Sequence, residues 1–406
     1  MKNATRAVTG GRSSAKEARI VNPPLTRAST IVFPTYADLL AANATRSGDG
    51  LTYGLHGVTS TFELEAALRD LEIGDLDPAG YRTRLAQTGL MAVTLPMLAV
   101  LSPGDHCLLP DCVYGETRAF ARRTLTRLGV EVDYYDPLLG AGIAALMRQT
   151  TRLVLVESPG SWTFEVQDVP AIAAAAHRAG ALVMMDNTWA TPLFFDAFGH
   201  GVDISMQALT KYVGGHADLL LGAVTASEEI YDRYLQPFWR DLGAGVSADD
   251  AWLALRGLRT MPTRLKHHEV AGLRVADWLH AHPGVADVIH PALPHDPGHA
   301  LWQRDFTGAG SLFAFILPAD RSSDAHVAAL VDELRLFSMG FSWGGYESLI
   351  LPTKPARART ATTWPRSGRP DGRVMRVYIG LEDPDDLIAD LAGGLDRVLA
   401  VPAAAA

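Results

Sequence analysis

Two short stretches decide the predicted fold of this chain: Met184-Met185-Asp186-Asn187, and Asp203-Ile204-Ser205-Met206 leading into Leu209-Thr210-Lys211-Tyr212. In each stretch, a short and mostly apolar run precedes a charged residue, Asp186 in the first and Lys211 in the second. Such a run is the pattern of a buried strand. In an open α/β sheet, ligands bind at the carboxyl ends of the strands. Asp186 and Lys211, 25 residues apart, are therefore expected to border one crevice.

Strand and helix patterns alternate on both sides of these stretches. The further predicted strands are His106–Leu109, Val130–Tyr135 and Leu153–Glu157, beside Ala181–Asp186 and Asp203–Met206. The predicted helices are Phe62–Leu71, a helix after Gly89, one near Glu116–Leu128 and Val169–Ala179. This alternation predicts an α/β fold with a mainly parallel sheet and helices on both of its faces.

The pattern changes after Leu258, where a smaller α+β domain is predicted. Its elements are a long helix Thr263–His280, strands Ser311–Ile316 and Val374–Ile379, and helices Asp324–Leu334 and Pro384–Leu399. The polar start with its apolar run Thr30–Phe33 indicates an extended arm. We therefore divide the chain into an arm (1–60), a large domain (61–258) and a C-terminal domain (259–406).

Composition excludes several classes of function. The 406 residues are 48% hydrophobic and carry a net charge of −9, which gives no basic field for nucleic acid or anionic lipid. Two cysteines are too few for a disulfide framework or a four-thiolate metal site. We find no signal peptide or membrane-spanning run, so we expect a cytoplasmic protein with neither nucleic-acid nor membrane partners.

Lys211 and Asp186 together suit one kind of chemistry. A lysine amine forms a Schiff base with an aldehyde cofactor, and an aspartate beside a pyridine nitrogen keeps that nitrogen protonated. These are the minimum requirements for pyridoxal 5′-phosphate (PLP). Alone, the pair also fits a solvated lysine and an aspartate that caps a helix.

Further residues strengthen the PLP hypothesis. In Gln87-Thr88-Gly89-Leu90-Met91-Ala92, a glycine precedes an apolar helix whose free N–H groups can hold a phosphate, and Thr210 could add a hydroxyl. Tyr114 follows a strand and could stack on a cofactor ring. Arg376 could grip a substrate carboxylate through two parallel hydrogen bonds.

The combined motifs resemble the Cys/Met-metabolism PLP enzymes over nearly the whole chain. The motifs are Asp186-Asn187-Thr188-Trp189-Ala190, Ala208-Leu209-Thr210-Lys211-Tyr212, Glu157-Ser158-Pro159-Gly160-Ser161 and Ser342-Trp343-Gly344-Gly345-Tyr346. An ordered series of this kind is far more specific than any single motif. The resemblance implies a fold-type-I PLP-dependent transferase-like architecture. It also implies a homotetramer, a dimer of dimers in which the N-terminal arm crosses into a neighbour's active site.

The resemblance also implies a role for each site residue. Lys211 is then the Schiff-base lysine, Asp186 the pyridinium partner and Tyr114 the ring-stacking residue, with Lys211, Tyr114 and Tyr53 as the catalytic set. The residues implied to bind the phosphate are Gly89, Leu90, Met91 and Thr210, and those implied to bind the substrate carboxylate are Arg376, Ser342 and the Trp343 backbone. Tyr53 would reach in from the adjacent subunit, and no metal is expected.

The implied reaction is cleavage of a carbon–sulfur bond in a small sulfur amino acid. The Ser-Trp-Gly-Gly segment and the Glu157–Ser161 motif favour β-elimination from L-cystathionine to homocysteine, pyruvate and ammonia, and this preference rests on resemblance. The same cofactor apparatus leaves open a broader cysteine-S-conjugate β-lyase or cysteine desulfhydrase. Cystathionine γ-lyase, γ-synthase and methionine γ-lyase activities also stay open.

The chain departs from the family pattern at Leu55, where many relatives have an arginine that contacts the neighbour's phosphate. His56 could replace that contact in part, and weaker PLP affinity or a different phosphate contact is equally open. Ala208 replaces a serine found in γ-acting relatives. Each departure removes one polar contact to the phosphate.

Two other enzyme classes fit less well. Gly340-Phe341-Ser342-Trp343-Gly344 matches a hydrolase nucleophile elbow, but a short strand follows it instead of a helix, and no histidine comes later. Gly140–Ala145 imitates a dinucleotide fingerprint without the acidic residue about 20 positions on. A binding protein that had lost catalysis would lack Lys211 or Asp186, and both are present.

Overall fold

The computed structural model describes residues 1–11, 20–44, 50–366 and 368–403. The strands are β1 Tyr81–Ala86, β2 His106–Pro110, β3 Glu131–Tyr135, β4 Thr151–Glu157, β5 Leu182–Asp186, β6 Ile204–Ala208, β7 Gly222–Ser227, β8 Asp287–Ile289, β9 Leu312–Pro318, β10 Leu349–Thr353 and β11 Gly372–Tyr378. The helices are α1 Asn3–Thr9, α2 Tyr36–Ala44, α3 Thr59–Glu72, α4 Gly89–Val100, α5 Gly115–Phe120, α6 Val169–Arg178, α7 Thr191–Phe194, α8 Glu228–Ile230, α9 Gln236–Asp241, α10 Ala248–Ala281, α11 His299–Asp305, α12 Asp324–Val331 and α13 Pro384–Ala400.

Seven strands form the large sheet, in the order β1-β7-β6-β5-β4-β2-β3. Strands β2 to β6 are parallel, whereas β7 runs antiparallel to both of its neighbours. Buried aliphatic side chains fill the space between this sheet and its helices on either side. The predicted α/β class with a mainly parallel sheet is confirmed.

The C-terminal part of the chain forms a second, smaller sheet, in the order β10-β11-β9-β8 and antiparallel throughout. It packs against α12, α13 and the second half of α10 around its own apolar core. None of the described helices is long and apolar enough to cross a membrane.

Helix α10 begins at Ala248, not at the predicted Thr263, and contains Pro262. Ser247 caps it by accepting the Asp250 N–H group. Position 257 of this helix must be glycine, because a Cβ there would lie 2.3 Å from the Val213 carbonyl oxygen. Helix α10 therefore packs directly on the loop that follows Lys211. The domain boundary at 258 remains a prediction, and it falls inside this continuous helix.

A segment that we call the strap, residues 359–366, joins the C-terminal part of the chain to the large sheet. The buried Asp111 carboxylate, just after β2, accepts the backbone N–H groups of residues 360–362 at 2.7 to 3.2 Å. At the other end of the strap, Arg366 binds Asp136 through two hydrogen bonds of 2.8 Å. The strap leads into β11, which carries Arg376.

Candidate active site

Lys211 follows the carboxyl end of β6 and is half-buried. Its Nζ donates to Ser342 Oγ at 2.7 Å and lies 5.3 Å from the centre of the Trp343 ring. Burial, and then the nearby Arg376 guanidinium, lower the pKa of Lys211 to about 8, while Asp186 opposes the shift. A larger neutral fraction makes this amine a better nucleophile than an exposed lysine.

The chain from Ser342 to Gly345 folds closely over Lys211. Gly344 adopts a left-handed backbone with φ of +93°, and a Cβ at this position would lie 2.7 Å from the Lys211 backbone. Ser342 is also left-handed, with φ of +79°, a conformation rarely seen outside glycine. Its carbonyl accepts a hydrogen bond from Arg376 Nη2 at 3.1 Å. The left-handed turn therefore holds the Ser342 hydroxyl at the lysine amine.

Asp186 ends β5 on the same side of the sheet. The Thr188 hydroxyl and backbone N–H both donate to its Oδ1, the latter at 3.0 Å. Burial raises the pKa of Asp186, while the Thr188 hydrogen bonds and the Lys211 charge oppose that shift. The carboxylate is thus oriented and has a cation beside it, as a partner for a protonated pyridine must be.

Tyr114 and Arg376 come from different sheets and meet at this site. Burial, and then the nearby acids Glu116, Glu157 and Asp186, raise the pKa of the Tyr114 phenol. Burial lowers the pKa of Arg376, and Tyr114 opposes that shift. Tyr114 is 44% exposed, so it is accessible to a ligand.

Helix α4 provides the predicted phosphate end of the site. Thr88 caps it by accepting the Met91 N–H group at 3.0 Å, so that group is occupied, whereas helix geometry leaves Gly89 and Leu90 without carbonyl partners in the helix. Gly89 lies so close to β6 that a Cβ would come within 2.4 Å of Ala208 Cβ. The Thr210 hydroxyl donates to the Leu221 carbonyl at 3.2 Å. The free N–H groups at this glycine fit a phosphate.

Tyr53 lies on the arm, where it forms a bridge with Thr30 and an edge contact with the His56 ring. Its expected reach into a neighbouring subunit stays a prediction. Leu55 packs against Gly245. A Cβ added at position 245 would lie 2.8 Å from Leu55 Cδ1. Burial, then the charges of Arg240 and Arg84, lower the pKa of His56, so at neutral pH this ring brings no positive charge to replace an arginine.

Sequence reasoning gave no role to three residues of the site. The turn residue Gly344 and the hydroxyl of Thr188 lie within the motifs, but their positions in the sequence indicate no role of their own. Glu157 was also quoted without a function, yet its Oε2 accepts the Tyr114 N–H group at 2.8 Å. Its position at the end of β4, beside Asp186, was the available signal.

Two further features lie outside this chemistry. After the predicted elbow at Ser342 the chain enters β10, not a helix. Within the described ranges, one cluster places metal-binding atoms within 4.8 Å of one another: His280, Asp287 and His295 of the C-terminal part. There the two imidazole rings stack at 3.8 Å and Arg369 binds Asp287 at 2.7 Å, so these groups already have partners.

A lysine after one strand of a mainly parallel sheet, an aspartate at the end of the adjacent strand and the amino end of a helix beside them are the arrangement of a fold-type-I PLP-dependent enzyme. Comparisons with known proteins identify the family. The model of the Cys/Met metabolism PLP-dependent enzymes matches residues 4–396. The chain belongs to this family, and its cofactor is PLP.

Individual relatives match over nearly their whole length. A protein of Rhizobium johnstonii is 49% identical over 94% of this chain and 92% of its own length. The cystathionine beta-lyase of Escherichia coli K12 is 40% identical over 97% of this chain and 98% of the relative. The crystal structure of cystathionine gamma synthase from Xanthomonas oryzae pv. oryzae, in complex with aminoacrylate and cysteine, superposes with a TM-score of 0.86 at 33% identity, covering 98% of this chain and 99% of the other.

Proposed function

We propose that this enzyme cleaves the Cβ–S bond of L-cystathionine with one water molecule, releasing homocysteine, pyruvate and ammonia. The observation that carries the proposal is the contact of 2.7 Å between Lys211 Nζ and Ser342 Oγ, with Arg376 bound to the Ser342 carbonyl. It places a proton-transferring amine beside a candidate carboxylate-binding arginine. The 40% identity to a cystathionine beta-lyase supports the choice of substrate.

When bound, PLP supplies an aldehyde for the lysine and then the substrate amine, and a protonated ring that accepts the electrons left at Cα. Arg376 binds the substrate carboxylate, with the Trp343 backbone beside it. Lys211 Nζ removes the Cα proton and later delivers a proton to the departing sulfur. Ser342 Oγ keeps that amine on the side of the site where Arg376 holds the substrate. The three-carbon product then hydrolyses to pyruvate and ammonia.

The remaining residues hold the cofactor. Asp186 binds the pyridine nitrogen, Tyr114 stacks on the ring, and Gly89, Leu90, Met91 and Thr210 surround the phosphate. Because the Met91 N–H group already caps α4, we assign the stronger phosphate contacts to Gly89 and Leu90. Tyr53 of an adjacent subunit completes the site.

The principal alternative is chemistry at Cγ, because a structure at TM-score 0.86 is that of a cystathionine gamma synthase. A γ-elimination requires a second proton to leave Cβ, and the same lysine can serve both reactions. A broader cysteine-S-conjugate β-lyase or cysteine desulfhydrase is the second alternative. The products separate β- from γ-chemistry, and relative rates on different substrates separate the two β-lyase activities.

The test is to incubate the PLP-loaded enzyme with L-cystathionine and identify the keto acid and the thiol together. Pyruvate with homocysteine supports the proposal. 2-Oxobutyrate with cysteine contradicts it and moves the chemistry to Cγ. Turnover of S-alkyl cysteines at least tenfold faster than of cystathionine would assign the broader lyase activity.

We also propose that the enzyme is a homotetramer in the cytoplasm. Large apolar side chains are exposed on the single chain, among them Val32 at 85% and Phe341 at 89%, and burial against another subunit would stabilise them. Cys107 and Cys112 are both free thiols, as expected in a reducing compartment. Light scattering coupled to size-exclusion chromatography measures the mass, and a monomer at micromolar concentration would contradict the assembly.

A further inference from the structure

Glu157 is a largely enclosed acid that the proposed reaction leaves without a role. It ends β4, and its register partner Asp186 ends β5. Register partners on parallel strands project from the same face of a sheet, so the two carboxyl groups are neighbours. The Glu157 carboxyl also accepts the Tyr114 N–H group at 2.8 Å. One side chain therefore touches the residue that stacks on the cofactor and lies beside the residue that binds its ring nitrogen.

We propose that Glu157 is a positioning residue: as an uncharged acid it fixes the Tyr114 backbone and leaves the one negative charge of the carboxyl pair on Asp186. This inference rests on the proposed roles of Tyr114 and Asp186 in cofactor binding. It does not depend on which thioether the enzyme cleaves.

The surroundings decide which of the two acids keeps the proton. Two neighbouring carboxylates shielded from water do not both ionise without a large cost. Asp186 has the Lys211 cation beside it and two hydrogen bonds from Thr188. The Glu157 side borders the thiol of Cys112 and the phenol of Tyr135, and neither group carries a positive charge.

Electrostatics support the same assignment. Burial, and then the charge on Asp186, raise the pKa of Glu157 well above its ordinary value, although the N–H groups of Tyr114 and Ser161 oppose the shift. A neutral acid still offers a carbonyl oxygen as hydrogen-bond acceptor. Its bond to Tyr114 therefore survives without a second negative charge beside the pyridine.

The tested consequence is that an amide can replace this acid and an alkyl group cannot. Glu157→Gln keeps the acceptor, the shape and the neutral charge. Glu157→Leu removes the acceptor and leaves the Tyr114 N–H group without its partner. Loss of a hydrogen bond to a partly exposed donor costs about twofold to tenfold in an equilibrium constant, which we expect in the dissociation constant of PLP.

The experiment titrates PLP into cofactor-free Glu157→Gln, Glu157→Leu and native enzyme, measuring the dissociation constant and the circular dichroism that the bound cofactor acquires. We expect the Gln variant to bind PLP within threefold of native and to keep the induced band. We expect the Leu variant to bind PLP about fivefold to tenfold more weakly, with a reduced band. With the thioether as substrate, the kcat/KM of the Gln variant should exceed that of the Leu variant by about fivefold or more.

Two results would overturn the proposal. Equal losses in the Gln and Leu variants would mean that the site needs an ionised Glu157. Native affinity and an unchanged band in the Leu variant would mean that Glu157 does not position Tyr114. If the Leu variant does not fold, the Gln variant still decides, because an ionised Glu157 predicts that it loses at least tenfold in affinity. The dissociation constant of PLP and the induced band use no thioether, so failure of the proposed lyase activity would leave both readouts unaffected.

Discussion

Replacement of Gly344 by alanine tests whether the Ser342–Gly345 turn sets the position of Lys211. The added Cβ would lie 2.7 Å from the Lys211 Cα, whereas ordinary contacts begin at 3.4 Å. The lysine backbone must then withdraw by about 0.7 Å, or the turn must lift away by as much. The left-handed φ adds about 1–2 kcal/mol and the overpacking about 1–3 kcal/mol, giving about 2–5 kcal/mol of local strain.

A displacement of this size at a reacting group costs about 100-fold in rate. We therefore expect Gly344→Ala to lower kcat/KM for the thioether by about 100-fold. The matched control is Gly345→Ala, since a Cβ there would lie 3.4 Å from Ala217 Cβ in ordinary contact. Steady-state kinetics on both PLP-loaded variants measure the difference. Equal kcat/KM values for the two variants would refute the reasoning.

Four further predictions concern single residues. Lys211→Ala should abolish turnover and the visible absorption of the lysine-bound cofactor, and retained absorption would reassign the lysine. In native protein, PLP attachment should accelerate about tenfold per pH unit up to about pH 8 and then level off, because only the neutral Lys211 amine reacts, and a pH-independent rate contradicts this. Arg376→Lys should raise KM by about 10- to 150-fold, because a charged two-point grip worth about 1.5–3 kcal/mol is lost. An unchanged KM would place the carboxylate site elsewhere. Asp111→Asn should lower the free energy of unfolding by about 1–3 kcal/mol in chemical denaturation, while the exposed Asp332→Asn should leave it unchanged, and equal effects would count against the strap.

Much of the fold could be predicted from local pattern. Strands β2, β4, β5 and β6 are short, apolar and buried over most of their length, whereas β3 alternates exposed and half-buried residues; all five were found within one or two residues. The antiparallel strands β1 and β7 were missed. Arg82 and Arg84 interrupt the first, and small residues such as Gly222 and Ala223 make up much of the second. Their pairing supplies what the pattern lacks, including a contact between the hydroxyls of Thr83 and Thr225.

The site also has a part that local sequence predicts and a part that only tertiary contact explains. Asp186 and Lys211 stand at strand ends, so chain position alone predicted that they would meet. The requirement for glycine at 344 arises from contact with a residue 133 positions earlier, and no local pattern reports such a contact. Helix α10 was shortened because Gly257 and Pro262 are ordinarily helix breakers. Gly257 is needed for close packing of α10 on the loop that follows Lys211. This tertiary contact therefore outweighed the low helix propensity of glycine.

The strap also constrains the construction of hybrid enzymes. Asp111 lies three residues before Tyr114, and its partners at 360–362 lie shortly before the strand that carries Arg376. Asp111 and the strap residues that it binds are about 250 positions apart in the chain. A hybrid that takes its first half from one family member and its second half from another separates the acid from the backbone that it evolved to hold. We expect such hybrids to retain activity only where both parents share the contact between Asp111 and the strap. Crossover points should therefore be chosen to preserve this contact, before sequence identity is considered.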